Sequence, residues 1–406
     1  MMKIIKLSLI LIFGLIITSA CKQNSPKRAE KVHNNIISID THTDTPLNFL
    51  DEGFDVGKWN DFGESRSRVD FPRMKAGRLD GVFMAVFVSQ GERNTEGNIR
   101  AKNRALDIFN ALHEKISLYP DQAQIALNAK DIYNIKKSGK STVYIGLENG
   151  YPIGNDLKNI KEFYDLGARY ITLCHTRNND ICDSSTDKKG AEYNGLSSFG
   201  EDVVKEMNRL GMIIDVSHIS DSAYFDVLKL SKTPVIASHS SVRAICDNPR
   251  NFSDEMLQAL KENNGVIQIC ILSDYVKTPL PYPERDSAFN VLRERYNHFD
   301  NLTDDQRKQM HIEWEETDQK YPKELATVSD VVDHIDYVVK TIGIDYVGIG
   351  TDLDGGGGVT GCIDVSEMKN ITVELLNRGY TKKDIRKIWG GNFLRVFKEV
   401  EERKVI

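Results

Sequence analysis

The imidazole of His42 and the carboxyl group of Asp44 lie two positions apart, directly after a short apolar run. Side chains at i and i+2 of an extended strand point the same way, so this pair can hold one ion. His218 and His239 follow further apolar runs, and Glu148 ends another with two oxygens able to bridge a pair of ions. These five side chains predict a site for two metals about 3.5 to 4 Å apart.

The ligand types narrow the identity of the metal. Imidazole and carboxylate groups without a thiolate favour zinc and leave manganese, cobalt and iron open. A single buried histidine is usually structural, but four of the nine fall at predicted strand ends: His42, His175, His218 and His239. We interpret the others as structural, with a supporting role left open for the last, which lies on a helix face: His33, His113, His298, His311 and His334.

Other reactive groups flank these candidates. Asp352 and Asp354 follow the last apolar run, and we interpret the second as a turn former before a glycine run. For Glu148 the alternative is a helix cap or a loop charge. Cys174 precedes His175, but the neighbouring metal ligands disfavour a thiol nucleophile.

Short β-branched or apolar runs alternate with longer amphipathic segments, which is typical of β/α units. The predicted strands are 36–40, 82–88, 143–147, 170–174, 212–217, 234–238, 266–271 and 346–350. Helical patterns cover 99–118, 157–166, 200–210, 220–230, 254–263 and 328–342. This pattern predicts an α/β fold, a (β/α)8 TIM-like barrel, with a doubly wound open sheet as the alternative.

Polar residues at the strand ends favour the barrel. Titratable or metal-binding groups follow six of the eight predicted strands. In a barrel the carboxyl ends of all strands meet at one mouth, so these groups converge in space. In an open sheet the first and last could lie far apart. We therefore expect the metal site at the C-terminal ends of barrel strands.

The first residues carry an export signal. Lys3 and Lys6 precede an apolar run over 7–17, shorter than the roughly 18 to 20 residues of a membrane-spanning helix. Small residues then precede Cys21, which resembles a bacterial lipobox. We predict a lipoprotein signal peptide over 1–20, a diacylated Cys21, and a flexible tether over 21–34. The protein would be exported and lipid-anchored, facing the periplasm or cell exterior; a retained membrane anchor is the alternative.

Composition limits the partners. The chain has 53 basic and 59 acidic residues, a formal charge of −6, so we expect no nucleic acid and a small or mixed-charge substrate. We treat 35–402 as a single domain. If Cys21 is lipidated, five cysteines remain, so any disulfide pairing leaves at least one thiol free.

One charged segment, 273–327, stands outside the alternating pattern and has helical character over 287–319. Because it follows a strand, we expect it at the mouth of the barrel. It would act there as a lid, a specificity wall or a homodimer contact; a solvated surface excursion is the alternative.

Several of these segments resemble the membrane (renal) dipeptidase family. They are IDTHTD at 39–44, DFPR at 70–73, GLENG at 146–150, LCHT at 173–176, DVSH at 215–218, SHSS at 238–241, GIGTDLDG at 348–355 and GNFLRVF at 391–397. Order and spacing agree with the family from about residue 36 to residue 397.

The resemblance implies two zinc ions per subunit. By it, His42 and Asp44 would hold the first zinc, His218 and His239 the second, and Glu148 would bridge both. The membrane would be contacted only through the N-terminal lipid.

The resemblance also implies roles around the metals. Asp352 would carry a proton, His175 would bind substrate, and Arg250 would bind the free carboxylate of a dipeptide. A hydroxide activated by the zinc pair would attack the peptide carbonyl, and Asp352 would pass the proton to the leaving amine. The expected function is a metallodipeptidase, with tolerance of a D-residue at the second position implied by the family.

Two other functions stay open. One keeps the barrel and metals but hydrolyses lactones or phosphotriesters; those enzymes typically bridge their metals with a modified lysine of the fourth strand. Here the fourth strand ends at His175, and the third supplies Glu148. The other is a non-catalytic binding lipoprotein, which the presence of both Glu148 and Asp352 disfavours.

Overall fold

The computed structural model of the protein describes residues 26–51, 53–61, 67–296 and 302–405. Parallel strands pair in the order β1-β2-β4-β5-β6-β7-β8-β9, and β3 pairs with β4 off this path. The strands are β1 Ile39–Thr43, β2 Gly81–Phe87, β3 Ala123–Ile125, β4 Ser141–Glu148, β5 Ala168–Thr172, β6 Ile213–Asp215, β7 Ile236–Ser240, β8 Val266–Ile269 and β9 Val347–Ile349.

Helices surround the sheet and connect its strands. The α-helices are α1 Pro26–His33, α2 Phe71–Gly77, α3 Thr95–Ser117, α4 Asp131–Lys137, α5 Lys158–Asp165, α6 Ser198–Leu210, α7 Asp221–Leu230, α8 Asp254–Glu262, α9 Ser273–Val276, α10 Pro283–Arg295, α11 Asp304–Lys320, α12 Val328–Thr341, α13 Lys369–Asn377, α14 Lys382–Arg386 and α15 Asn392–Glu402. Shorter 3-10 segments are Thr45–Leu50, Tyr151–Ile153, Ile344–Tyr346 and Val365–Glu367, and a π-helical turn spans Lys387–Gly391.

Side chains and loop backbone join β9 to β1 and bring the ends of the sheet together. The carboxylate of Asp40 accepts hydrogen bonds from the backbone N–H and the hydroxyl of Thr351, at 2.8 and 2.5 Å. The N–H of Asp352 donates to the carbonyl of His42 at 3.0 Å. The predicted (β/α)8 TIM-like barrel is therefore confirmed, and the open sheet is excluded.

Aromatic side chains fill the lower interior of the barrel. Phe83 lies at its centre, with ring centroids 4.9 Å from Tyr144 and 5.1 Å from Tyr170. Phe393 of α15 packs edge-on against Phe83 at 5.2 Å, so the last helix covers the floor of the barrel. Polar groups at the opposite end of the strands therefore rest on a packed, water-excluding base.

The tether predicted over 21–34 is wrong from residue 26 onward, because Pro26–His33 forms a helix. Ala29, Val32 and His33 share one face at i, i+3 and i+4, and all three are buried. That face packs against α13. The folded domain thus includes α1 and extends N-terminal to residue 35.

The charged segment predicted over 273–327 contains α9 and a hairpin of α10 and α11. Phe289 and Trp314 pack at a centroid distance of 4.4 Å inside a small apolar cluster of the hairpin's own. Lys323 pairs with Asp274 at 2.7 Å, which joins the end of the segment to its beginning. Its expected role as lid, wall or dimer contact stays a prediction.

Among the described residues, no helix combines the length and apolar character required to cross a membrane. Five cysteines in this part are buried and free of disulfides: Cys174, Cys182, Cys246, Cys270 and Cys362. The predicted signal peptide, Cys21 and His298 lie outside the described residues.

Candidate metal centre

Glu148, the last residue of β4, lies at the centre of an imidazole cluster at the C-terminal mouth of the barrel. Its Oε1 is 3.2 Å from Nε2 of His218 and 3.5 Å from Nε2 of His239. Its Oε2 is 3.3 Å from Nε2 of His42. The two oxygens thus face histidines from different strands, as a carboxylate that bridges two ions requires.

Asp44 and Asp352 extend this cluster on the β1 side. Oδ2 of Asp44 is 3.6 Å from Nε2 of His42. Within the described residues, three groups have ligand atoms within 4.8 Å of one another: His42, Glu148 and His239; Glu148, His175 and His218; His42, Asp44 and Asp352. Every side chain predicted as a metal ligand therefore lies in one cluster.

Within the described residues, three atoms of the cluster are buried without a hydrogen-bond partner, namely Nε2 of His42, Oδ1 of Asp44 and Nδ1 of His218. Leaving a buried polar atom unpaired costs about 1 to 3 kcal/mol. The Nε2 atoms of His218 and His239 also face each other at 2.8 Å. Imidazole and carboxylate lone pairs directed to one place fit divalent cations of the zinc type.

Burial opposes charge at most groups of the cluster; at His42 burial also lowers the pKa, but the nearby Tyr170, Glu148 and Asp44 outweigh it and raise the pKa well above its usual value. Desolvation raises the pKa of Glu148, and desolvation together with the nearby Asp44 raises the pKa of Asp352 well above its usual value. Desolvation also lowers the pKa of His218 and of His239 well below the usual value. Bound cations would stabilise the ionised carboxylates and would bind the neutral imidazoles. These side chains are therefore better suited to bind metal ions than to bind protons.

Arg250 and His175 stand beside the ligands. Arg250 is buried, and one terminal N–H₂ donates to the carbonyl of His239 at 3.0 Å. Its Nε has no hydrogen-bond partner among the described residues. Its guanidinium lies 5.3 Å from the ring centre of Tyr275 in α9. His175 keeps 23% of its side chain exposed and packs against Phe87 at 4.7 Å. A cation and an imidazole therefore flank the cluster.

Backbone conformation places Asp352 against Asp44. Asp352 adopts a φ of 61°, in the left-handed region. A Cβ on Gly355 would lie 2.1 Å from Oδ2 of Asp44 and 2.3 Å from Oδ1 of Asp352. Only glycine at this position lets the two carboxyl groups approach.

Asp354 does more than form a turn. Its φ is 67°, and its carboxylate accepts hydrogen bonds from the N–H of Arg68 at 2.6 Å and from the hydroxyl of Thr45 at 2.8 Å. These bonds join the loop after β9 to the loop after β1. The sequence interpretation of Asp354 was therefore incomplete.

The residues that contact the outer ring nitrogens of the proposed histidine ligands were not predicted from the sequence. The hydroxyl of Tyr170 lies 2.8 Å from Nδ1 of His42, and the hydroxyl of Ser238 lies 2.8 Å from Nδ1 of His239. Ser238 in turn donates to Asp215 at 2.6 Å. One sequence feature could have indicated such supporting residues: in both IDTHTD and DVSH, an aspartate of the predicted strand precedes the histidine.

His334 has the supporting role that the sequence left open. It is fully buried in α12, and its Nδ1 accepts a hydrogen bond from the N–H of Val242 at 3.0 Å. Its Nε2 donates to the carbonyl of Val276 at 2.8 Å. His334 therefore ties the loop after β7, which carries Arg250, to the end of α9.

A match to a protein-family model shows which family the chain belongs to. The family model for membrane dipeptidase, peptidase family M19, matches residues 26–405. The chain belongs to the membrane dipeptidase family. Membership makes it a metal-dependent hydrolase of the dipeptidase class. The match begins at the first residue of α1, in agreement with the inclusion of this helix in the folded domain.

Individual relatives agree with this assignment. Dipeptidase tcpJ of Claviceps purpurea is 35% identical over 342 residues, covering 82% of this chain and 69% of that one. The structure of the probable dipeptidase PvdM from Pseudomonas aeruginosa is 31% identical, with a TM-score of 0.80 and coverage of 93% and 98%. A metallo peptidase from Rhodobacter sphaeroides, 21% identical with a TM-score of 0.72 over 90% of this chain and 99% of that one, shares the fold of this chain.

Proposed function

We propose that the protein is a binuclear zinc dipeptidase in which His42 and Asp44 hold one ion, His218 and His239 hold the other, and Glu148 bridges them. The observation that carries this proposal is the placement of Glu148, with one oxygen 3.3 Å from His42 and the other 3.2 Å from His218. When bound, a pair of divalent cations would activate the hydrolytic water and polarise the peptide carbonyl.

Arg250 selects substrates with a free C-terminal carboxylate. It presents an unpaired Nε beside the ligands, and a guanidinium pairs bidentately with a carboxylate. Because Arg250 also bonds the carbonyl of His239, the substrate carboxylate would sit close to the reacting bond. This short reach favours a dipeptide over a longer peptide.

Asp352 and His175 act on the reacting atoms. Asp352 lies beside Asp44 and His42 and would accept the proton of the attacking water, then deliver it to the leaving amine. His175 would donate a hydrogen bond to the carbonyl oxygen as negative charge develops there.

The proposed specificity includes a D-residue at the second position. The Rhodobacter sphaeroides metallo peptidase was solved with a phosphinate mimic of the dipeptide L-Ala-D-Ala. We extend this tolerance to the present chain. Comparing L-Ala-L-Ala with L-Ala-D-Ala as substrates tests it, and hydrolysis of the L,L form alone would contradict it.

The decisive experiment compares a dipeptide with its C-terminally amidated twin. It uses a soluble, zinc-loaded form that lacks residues 1–21 but keeps α1, as wild type and as Asp352→Asn. We expect rapid hydrolysis of the free acid only, and a loss of at least about 100-fold in kcat in the variant. Bound zinc, measured by elemental analysis, should be two equivalents in both proteins.

Other outcomes point to other functions. Hydrolysis of lactones or phosphotriesters but not dipeptides would indicate another binuclear hydrolase. Dipeptide binding without hydrolysis, with two zinc ions bound, would indicate a binding lipoprotein.

We also propose that lipid on Cys21 holds the exported enzyme at the membrane. The wild type should incorporate a labelled fatty acid, and a Cys21→Ser variant should not. If the wild type incorporates none, the lipid anchor is wrong.

A further inference from the structure

A chain of hydrogen bonds runs behind His239, on the side away from Glu148. The hydroxyl oxygen of Ser238 is 2.8 Å from Nδ1 of His239 and 2.6 Å from Oδ2 of Asp215. His239 is 1% exposed, and Ser238 and Asp215 are fully buried. Water therefore has little access to this chain, and its hydrogen bonds must be satisfied internally.

The direction of the chain follows from Asp215. Its Oδ1 accepts the N–H groups of Ser217 and Ser238, at 3.0 and 2.8 Å. Its Oδ2 receives the hydroxyl of Thr172 at 2.5 Å in addition to that of Ser238. Four donors surround a group that, when ionised, can only accept. The single hydroxyl hydrogen of Ser238 is thus directed to Asp215.

This direction determines the proton position on His239. Because the hydroxyl of Ser238 donates its hydrogen bond to Asp215, its oxygen can only accept a hydrogen bond from the imidazole. Nδ1 of His239 must therefore carry a hydrogen. In a neutral imidazole the other nitrogen then has a free lone pair. That nitrogen, Nε2, lies 3.5 Å from Oε1 of Glu148 and 2.8 Å from Nε2 of His218.

We propose that Asp215 and Ser238 are positioning residues that hold His239 in the Nδ1–H tautomer, so that its Nε2 lone pair always faces the metal centre. The inference rests on the proposed function, in which His239 is a zinc ligand. A carboxylate that orients a metal-binding histidine is a general device; here a serine hydroxyl relays it.

The other histidines around Glu148 lack such a relay among the described residues. His42 has the hydroxyl of Tyr170 at its Nδ1, and a phenol can donate or accept. Nδ1 of His218 has no partner in the described part of the chain. Among the three proposed histidine ligands, and within the described residues, only His239 has a buried carboxylate that determines which nitrogen carries the hydrogen.

Asp215→Asn is the sharpest variant because it reverses the chain. The amide oxygen can keep the two backbone N–H bonds, which places the amide N–H₂ where Oδ2 was. That group donates to Ser238, whose hydroxyl hydrogen then turns to Nδ1 of His239. The proton of His239 moves to Nε2, where it blocks metal binding.

Two measurements test this inference. Nitrogen NMR of the metal-free protein with ¹⁵N-labelled histidine reports the tautomer, and chelator competition reports zinc affinity. In Asp215→Asn we expect the His239 signal to change to the Nε2–H form, and the affinity for one of the two zinc ions to fall about 10- to 100-fold. Thr172→Val removes another donor to the same oxygen and should keep the wild-type tautomer and both affinities.

Two results would contradict the proposed role of Asp215 and Ser238. A wild-type tautomer and two wild-type zinc affinities in folded Asp215→Asn would overturn the inference. If that variant does not fold, Ser238→Ala decides the question, since it removes the acceptor for Nδ1–H and should weaken the same zinc about 10- to 100-fold. Wild-type affinity in Ser238→Ala would then overturn it.

His239→Ala separates this inference from the proposed function. Loss of one zinc equivalent in His239→Ala supports its role as a ligand, whatever Asp215→Asn shows. If His239→Ala keeps both zinc ions, the ligand assignment itself fails, and the relay has no metal to serve.

Discussion

Two tyrosines stack on Phe83 in the barrel floor, but only one of them touches the metal centre. The hydroxyl of Tyr170 lies 2.8 Å from Nδ1 of His42, whereas that of Tyr144 donates to the carbonyl of Asn128 at 3.2 Å. Both rings are fully buried. The pair therefore separates the effect of a lost hydroxyl on the metal from its effect on packing.

We expect Tyr170→Phe to weaken zinc binding by about 10- to 100-fold, because the His42 ring loses the hydrogen bond that orients it. Tyr144→Phe should leave zinc affinity unchanged and alter only stability. Chelator competition measures the affinities, and thermal unfolding measures the stabilities. Equal zinc affinity in both variants would show that Tyr170 is merely a packing residue.

Arg250→Lys keeps the charge but loses the planar fork that suits a carboxylate. We expect kcat/KM for a free dipeptide to fall about 10- to 100-fold, with zinc content and unfolding temperature unchanged. Arg243→Lys is the matched control, because Arg243 lies in the same loop and pairs with Asp221 at 2.7 Å instead of facing the proposed ligands. An equal loss of kcat/KM in Arg243→Lys would assign the effect of Arg250→Lys to loop structure.

The proximity of the five proposed ligands could be predicted from the sequence, because strand ends meet at one place in a barrel. Tyr170 could not, since a tyrosine in a buried strand has no sequence signal for what its hydroxyl meets. Asp215 belongs to the quoted DVSH segment, but its contact with Ser238 depends on the register of β6 and β7. Hydrogen-bond partners thus required the three-dimensional structure.

Among the elements, helix α1 determines where a soluble form of the protein should begin. Its buried face of Ala29, Val32 and His33 covers α13. A form that begins at residue 35 would expose the surface of α13 that α1 covers, and we expect it to lose roughly 2 to 4 kcal/mol of stability relative to a form that begins at residue 22. Denaturant unfolding of the two forms measures the difference. Equal midpoints would mean that α1 contributes no net stability.

The same helix confers pH-dependent stability. Burial lowers the pKa of His33 to about 4, and Lys136 acts in the same direction. An unfolded histidine titrates near 6.5, so the unfolded state binds more protons between these values. Stability should therefore be full above about pH 6.5 and fall as the pH drops toward 4, by up to about 3 kcal/mol from this group. In His33→Gln the loss should be smaller by that amount, and an unchanged pH profile would contradict this.

Periodicity located the eight barrel strands, since each is a buried apolar run between turns. It missed α1 because only Ala29, Val32 and His33 of that helix face inward, among charged neighbours. It also missed β3, which has three residues and pairs with β4 at the edge of the barrel path. Short elements with few buried residues leave too little pattern to read.

For the whole molecule, the proposed metals would join β1, β4, β6 and β7 through side chains at one end. Ligands that bind only the folded state add stability, by about 4 kcal/mol when free metal exceeds the dissociation constant 1,000-fold. We expect chelation to lower the unfolding temperature and zinc to restore it, with a smaller response in His239→Ala. An unfolding temperature unaffected by chelation would show that the centre does not stabilise the barrel.

The seam between Asp40 and Thr351 joins residues 311 positions apart, and the proposed ligands His42 and Asp44 lie beside it. Consequently the catalytic centre is among the last parts of the molecule to be completed during biosynthesis. A chain still emerging from the ribosome already contains the five proposed ligands once residue 239 has been made, but it lacks Asp352 and the strand that closes the barrel. Peptidase activity is therefore expected only after nearly the entire chain has been made.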